Sequence, residues 1–571
     1  MAAFARADAG ADWRNVETGL VMPSLKYADQ PYIAVTQKGR WVCVLTTGKG
    51  TEGAGGQHVA ASVSSDRGQT WSKLTAIESP DGPAASWACP LVTGFGRIYA
   101  FYTYNGDNIH LGRDDTHGWY AFKYSDDGGR TWSKQRYRLP MRTTACDTIR
   151  RKGKVIHHFW GICKPIAVGG VVYFSFTKLG KYFLGDGEGW LFRSDNILTE
   201  KDPGKIHWEM LPGGKSGIRN DQFGSVQEEH NLAALSKPGH LACVYRTTRG
   251  FPAISYTRDG GRTWPKPQAM RYSPGGRIIR HPRACPKIWR CGNGKFLFWC
   301  HQNGGKGYTN RNPVWLCGGV EVNGAIRWSQ PEILLYHDNP KKRMSYPDLI
   351  EMKGKYWVTE TEKEAARVHE IDPSLLEGLW SQFDCKTPAK RGLVVDLDGK
   401  QLDKAKQNGI AMPKLPDLSK RAGFTVDLWI RIADLKGPRT ILDSRQGGQG
   451  KGLAVTKSKD GTLTLAFSDG NRSGTWNLDK GLLKAGQMHH VVFIVDGGPG
   501  IVSCVVDGRF CDGATHPRQF GWGRFDRRIG TVGGDRLNFP AGAGAEIMRL
   551  RIYNRYLRTS EAIANFHAGG N

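Results

Sequence analysis

Residues 228–264 read EEHNLAALSKPGHLACVYRTTRGFPAISYTRDGGRTW, in which two carboxylates precede a strand pattern that ends in Arg246. Glu229 and Arg246 do not recur in the repeats described below, so they are candidates for chemistry rather than scaffold. A glutamate can take or give a proton, and an arginine grips a carboxylate through paired N–H bonds. Further along come Arg311 in YTNRNPVWLCGG, then Tyr346 and Asp348 in SYPDLIEMKG, then Glu362. Asp348 stands two residues after Tyr346, on the same face if that segment is a regular strand. Upstream, Asp29 and Gln30 lie in ADQPYI, and Glu52 and His58 lie in the Gly-rich segment TGKGTEGAGGQHV. His157, His158, His281 and Arg283 are further groups able to line a cavity. Neither an H-E-x-x-H pattern nor a C-x-x-C pair is present, and the expected chemistry uses no metal and no cofactor.

These residues must be held by a scaffold, and the scaffold repeats. The pattern S/T-x-D-x-G-x-x-W occurs at 64–71 (SSDRGQTW), 125–132 (SDDGGRTW) and 257–264 (TRDGGRTW). Worn copies stand at 194–208 and 321–328, which gives a period of about 60 residues. Each copy makes sense as a turn between antiparallel strands. Its hydroxyl and carboxylate accept backbone N–H bonds, its Gly supplies positive φ, and its Trp packs between sheets. The text between the turns is strand-like: YIAVTQKGRWVCVLTT, GRIYAFYTY, GGVVYFSFTK, HLACVYRTT, KFLFWCHQ and KYWVTETE.

The chain has 571 residues, with 74 Gly and 19 Trp, which suits short strands joined by tight turns. Its 80 Lys and Arg against 53 Asp and Glu give +27, a balance that favours an anionic partner. Zinc-finger spacing, an RNA-binding signature and long basic runs are all missing, so no nucleic-acid partner is expected. No stretch approaches the roughly 18 apolar residues of a membrane span, and MAAFARADAGADW lacks a signal-peptide core. Most of the 12 cysteines sit in strand-like text as small hydrophobes, while Cys504 and Cys511 flank the turn in VVDGRF and face each other if that segment is a hairpin.

After Asp372 the character changes. PSLLEGLWSQF reads as a short helix and CKTPAKRG as a linker. From about Gly392 alternating strands such as FTVDLWIRI, TLTLAFS and HHVVFIVDG are separated by DG and GG turns. The expected organisation is an N-terminal extension (1–24), a repeat domain (25–372), a helix and linker (373–391) and a β-sandwich (392–571).

The repeated turn is the Asp-box, and residues 25–371 resemble the sialidase superfamily. FTVDLWIRI and RLRIYNRYLRTSEAIANF resemble a laminin-G or concanavalin-like jelly roll. The resemblance implies an all-β fold: a six-bladed β-propeller followed by a β-sandwich. It implies that Tyr346 is the nucleophile and Glu229 the base that activates it. A neutral hydroxyl avoids the repulsion that a carboxylate nucleophile meets beside the carboxylate of sialic acid. Arg246 and Arg311 would grip that carboxylate. The family's first arginine is replaced here by Asp29 or Gln30, so Arg283 is a substitute for it, and Glu362 would lack its usual partner. The acid/base falls to Glu52 or His58, and Asp348 either faces the site or caps a turn.

The expected function is an exo-acting glycoside hydrolase that releases a terminal acidic sugar, sialic acid first, from an anionic glycan outside the cytoplasm, secreted or periplasmic. Two alternatives stay open. One is a related glycosidase or lyase acting on a uronic acid, rhamnose or arabinose, and the other is a glycan-binding protein without turnover.

Overall fold

The computed structural model describes residues 12–181, 185–445, 450–513 and 519–570. They divide into two compact units. One comprises Val16–Trp328 and Asn339–Pro373, and the other comprises the N-terminal residues as far as Asn15, Ser329–Asp338 and Ser374 onward.

Among the described residues the first unit holds six antiparallel sheets of at least four strands each and a two-stranded ribbon, Arg150–Arg151 with Lys154–Val155. The first runs Tyr27–Val35, Trp41–Gly48, His58–Ser64 and Thr75–Ala76, and the second begins with Ala85–Val92. The fourth begins with Glu228–Ala234 and Leu241–Arg246, and the sixth contains Leu349–Met352, Lys355–Thr361 and Ala366–Glu370. That last sheet is completed by Leu20–Met22, whose Leu20 pairs with Val368. Residues 1–24 therefore hold more than an extension. The described part includes this strand, and Arg14 forms an ion pair with Asp496 inside the second unit.

Strands such as Trp41–Gly48 are buried along their whole length, so they read as continuous apolar text rather than as alternation. Aromatic residues fill the space between sheets. Phe101, Phe122, Phe174, Phe176, Phe192 and Trp190 form one cluster, and Phe176 stacks on Phe192 at 5.1 Å. Each such side chain contributes about 1.5–3 kcal/mol by leaving water.

The repeated turns are built as their residues require. Ser125 Oγ donates to Asp127 (2.8 Å) and accepts from Gly129 N (2.9 Å), and Asp127 accepts from the amides of Arg130 and Thr131. Ser64 and Asp66, and Thr257 and Asp259, repeat this pattern. Gly129 has φ +89°, and a Cβ there would lie 2.6 Å from Val42. Its side chain is absent because the neighbouring sheet occupies the space.

Buried polar groups tie the inner strands together. Tyr32 Oη donates to the Ile162 carbonyl (3.0 Å), and Lys287 Nζ donates to Tyr32 Oη (3.0 Å) and to that same carbonyl. Asn231 donates to the carbonyls of Val244 (3.0 Å) and Pro286 (2.6 Å) and accepts from Ile288 N (2.9 Å). Each of these bonds except the one to Val244 joins different sheets, so the sheets are held by specific pairing as well as by apolar contact.

The second unit is a sandwich of two antiparallel sheets. One is ordered Leu393–Asp398, Ala545–Tyr553, Gly423–Ile432, Met488–Asp496, Ile501–Val506 and Arg509–Phe510. The other is ordered Arg439–Asp443, Gly452–Lys457, Leu463–Ser468 and Ser473–Asn477. Phe424, Val426, Leu428 and Ile430 face Leu453, Val455, Leu465 and Phe467 across the core. The helix at Pro373–Ser381 lies where the sequence places it. A second, Gly399–Asn408, starts at a capping box formed by Asp398 and Gln401. Cys504 and Cys511 lie across a hairpin, their backbones joined by a 2.9 Å hydrogen bond, and both remain thiols. Among the described residues no helix is long and apolar enough to cross a membrane.

Candidate active site

Four residues with left-handed backbone stand at or near the starts of inner strands: Gln30 (φ +48°), Trp87 (+63°), Glu229 (+59°) and Tyr346 (+48°). Three of them lie in strand irregularities, between Asp29 and Tyr32, Ser86 and Cys89, and Glu228 and Asn231. A bulge of this kind re-aims a side chain that regular alternation would send elsewhere, at a cost of order 1–3 kcal/mol per residue. Here it turns both Glu228 and Glu229 toward Arg246.

The resulting cluster is buried. Tyr346 Oη donates to Glu229 Oε1 at 2.8 Å. The same carboxylate oxygen meets Arg246 Nη1 at 2.6 Å, while Arg246 Nε and Nη2 reach Glu228 Oε2 at 2.8 and 2.7 Å. Arg283 Nη2 approaches that Glu228 oxygen at 3.5 Å. Arg311 has neutral partners: Nη1 donates to Ser345 Oγ (2.7 Å) and Nη2 to the Arg283 carbonyl (3.1 Å). Among the described residues its charge meets no direct ion-pair partner, and Arg311 Nε, Arg283 Nε, Glu228 Oε1 and Glu229 Oε2 are buried without a hydrogen bond. Each such buried atom can take a partner from outside the protein, water or a polar ligand. Burial, then the Glu229 charge, raises the Tyr346 hydroxyl well above its ordinary pKa, against the opposing pull of Arg246 and Arg311, so it rests as a proton donor.

A second group adjoins the tyrosine ring. Lys363 Nζ lies 4.1 Å from the ring centroid of Tyr346, pairs with Asp29, and stands 3.6 Å from Glu52. Asp29 also accepts from Tyr27 Oη (2.8 Å) and Gln30 N (2.9 Å). Arg113 contacts Glu52 at 3.3 Å and binds Asp115, whose carbonyl accepts from Trp87 Nε1 (2.8 Å). Burial alone would raise the Glu52 pKa, but Lys363 and then Arg113 outweigh it and hold the carboxyl at about 2. Trp87 lies 6.4 Å from both Tyr346 and Trp160, giving the cluster an aromatic wall.

The structure thus brings Tyr346, Glu229, Arg246, Arg283 and Arg311 together, with Asp29 and Glu52 beside them. It does not bring Asp348 to them. The left-handed turn at Tyr346 breaks the alternation that put the two residues on one face, and Asp348 instead accepts from Ile33 N (2.9 Å) and Lys164 (2.8 Å). Glu362 pairs with Arg367 at 2.8 Å. Gln30 donates to the Gly161 carbonyl (3.0 Å), a tie between sheets. His58 sets its Nδ1 on the Gly56 carbonyl (3.2 Å). His281 is buried against the Ala284 carbonyl, its pKa pushed down to about 3 by burial. His157 meets Asp147 at 3.1 Å, and His158 stacks on His117. Among the described residues no group of His, Cys, Asp or Glu side chains is arranged to hold a metal ion. Sequence reasoning missed Lys363, Arg113 and Trp87. Only Lys363 had a signal, as the neighbour of Glu362.

Residues 87–358 match the family model of the BNR repeat-like domain, and residues 404–564 match that of the concanavalin A-like lectin/glucanases superfamily. The chain therefore carries a BNR repeat-like domain followed by a concanavalin A-like domain. Similar solved structures include the Hadza microbial sialidase Hz136, which is 17% identical with a TM-score of 0.45, covering 62% of this chain and 68% of that one. Trypanosoma rangeli sialidase is 15% identical with a TM-score of 0.42, covering 95% and 94%. A point mutant of NanB sialidase from Streptococcus pneumoniae is 14% identical with a TM-score of 0.45, covering 62% and 70%. No curated protein sequence matches.

Proposed function

We propose that this protein is an exo-acting glycoside hydrolase of sialidase type, its six sheets closed into a propeller, releasing a terminal acidic sugar from glycans. The observation that carries the reading is the Tyr346 hydroxyl bonded to Glu229 inside a ring of Arg246, Arg283 and Arg311. Arg311 and Arg283 receive the substrate carboxylate, because the Nε of each is buried without a hydrogen bond and Arg311 meets no ion-pair partner among the described residues. Arg283 takes the place of the missing first arginine.

Glu229 accepts the proton of Tyr346 as the phenolate oxygen attacks the anomeric carbon and the glycosidic C–O bond breaks. The departing oxygen takes a proton from Glu52 or from water. Water then attacks the anomeric carbon of the glycosyl-tyrosine, giving one proton back to Glu52 or to the hydroxide left by the first step, as the sugar–tyrosine C–O bond breaks and Glu229 returns its proton to the Tyr346 oxygen. Glu52 donates only when bound substrate relieves the hold of Lys363 and Arg113.

Asp29, an anion where an arginine would bind a carboxylate, favours a second reading in which the sugar is a uronic acid. The test is the release of fluorophore from aryl sialosides and aryl uronides by wild type and Tyr346→Phe, with absorbance monitored for an unsaturated, eliminated product. Loss of the nucleophile lowers kcat by at least about a thousandfold. A folded wild type that binds acidic sugars without turnover would replace this reading with that of a glycan-binding protein.

A further inference from the structure

Lys363 is built into its place. It has φ +74°, a left-handed conformation that few residues other than glycine adopt. The turn is fixed by Lys363 N donating to Thr361 Oγ1 (2.8 Å), Thr361 Oγ1 donating to the Ala28 carbonyl (2.6 Å), and Ala28 N donating to the Lys363 carbonyl (3.0 Å). The first and sixth sheets thus aim this side chain jointly. Its ammonium lies among the rings of Tyr346 (4.1 Å), Trp87 (5.6 Å) and Tyr27 (5.8 Å), and the side chain keeps 21% exposure.

Lys363 favours the charged form of both anionic neighbours, against the burial that raises the Asp29 pKa, but each has other partners as well. Asp29 keeps the Tyr27 hydroxyl and the Gln30 amide, and Glu52 keeps Arg113. A lysine ammonium on a flexible stem can exchange one oxygen anion for another, while Asp29 keeps its two neutral donors. The aromatic faces hold the cation in position while it does so. Arg246, by contrast, spends its contacts on Glu228 and Glu229.

We propose that Lys363 is a substrate-binding, specificity-determining residue that leaves Asp29 to contact the acidic group of the sugar at the Tyr346 ring. The proposal rests on the reading of Tyr346 and Glu229 as the reacting pair. It gives the site a cation from the last sheet where the first strand supplies only Asp29 and Gln30.

The test compares wild type, Lys363→Met, Lys363→Arg and Asp29→Asn/Lys363→Met on aryl glycosides of an acidic sugar and of its neutral counterpart. Calorimetric binding of free sialic acid and free glucuronic acid is measured alongside, and thermal melting confirms folding. Lys363→Met is expected to raise KM and Kd for the acidic ligands by roughly 10- to 100-fold, at least about tenfold more than any change in KM for the neutral glycoside, with Lys363→Arg close to wild type. Acidic-ligand values within twofold of wild type in Lys363→Met would overturn the proposal. Restoration by the added Asp29→Asn change would also overturn it, since Lys363 would then merely neutralise Asp29. If wild type neither binds nor cleaves an acidic sugar, the reading of the site itself fails, and the proposal falls with it.

Discussion

Asn231→Ala tests the most connected polar side chain of the inner strands. Asn231 is 1% exposed, gives its two amide hydrogens to the Val244 and Pro286 carbonyls, lies 3.2 Å from the Glu229 carbonyl, and accepts from Ile288 N. Alanine removes three good hydrogen bonds and leaves buried carbonyls and an amide unpaired. At about 1 kcal/mol for each bond, with some further cost of unpaired groups, the loss is about 3–5 kcal/mol. Guanidinium unfolding followed by tryptophan fluorescence measures it, with the transition of the repeat domain fitted separately from that of the sandwich. The same bonds anchor the backbone beside Glu229, so activity should fall in protein that is still folded. A loss below about 1 kcal/mol would show that these bonds are replaced by water and that the tie between the fourth and fifth sheets is not structural.

Two further expectations concern the turns. Gly129→Ala should cost about 2–4 kcal/mol, because strain at positive φ adds to the clash with Val42, whereas Gly153→Ala, with φ +76° and nothing within 4 Å, should cost about 1 kcal/mol in the same melts. Asp127 and Asp259 are held at about 2: partial burial opposes ionisation, but hydrogen bonds from Thr131 and Ser125, and from Thr257 and Thr263, outweigh it. A depressed carboxylate stabilises the fold above its unfolded pKa near 3.9 and loses that contribution as pH falls through its folded value, so melting temperature should drop between about pH 4 and pH 2. Asp259→Asn should flatten that drop, and an unchanged slope would rule the turn out as its source.

Much of the scaffold was legible because turn chemistry is local. Ser125, Asp127 and Gly129 must act together within five positions, and three copies of that grammar announce antiparallel sheets. Tyr346, Glu229, Arg246 and Arg311 could be singled out by type and order. What stayed hidden depends on backbone irregularity and distant pairing. Periodicity of two predicts a shared face for Tyr346 and Asp348, but a left-handed residue resets the count, and nothing in SYPDL signals it. Arg113 and Asp115 sit in LGRDDTHG, where charged loop text is indistinguishable from a solvated surface. The three-residue strand Leu20–Met22 is too short to declare itself, since its partner lies in the last sheet. The helix at Gly399–Asn408 was readable from Asp398 and Gln401, yet its surroundings of alternating strands masked it.

That strand, Leu20–Met22, has a consequence for how the protein is made. Its partner Ala366–Glu370 emerges from the ribosome only after the first five sheets have been synthesised. The sheet that carries Lys363 and follows Tyr346 therefore remains a strand short, with an open edge, until the newest residues find one of the oldest. Closing so long a loop is slow, and the half-built sheet is exposed to wrong partners meanwhile. Tyr346, whose hydroxyl bonds Glu229 of the fourth sheet, precedes that late-closing sheet by a few residues, so the last sheet to be made adjoins the cluster of Tyr346, Glu229 and Arg246.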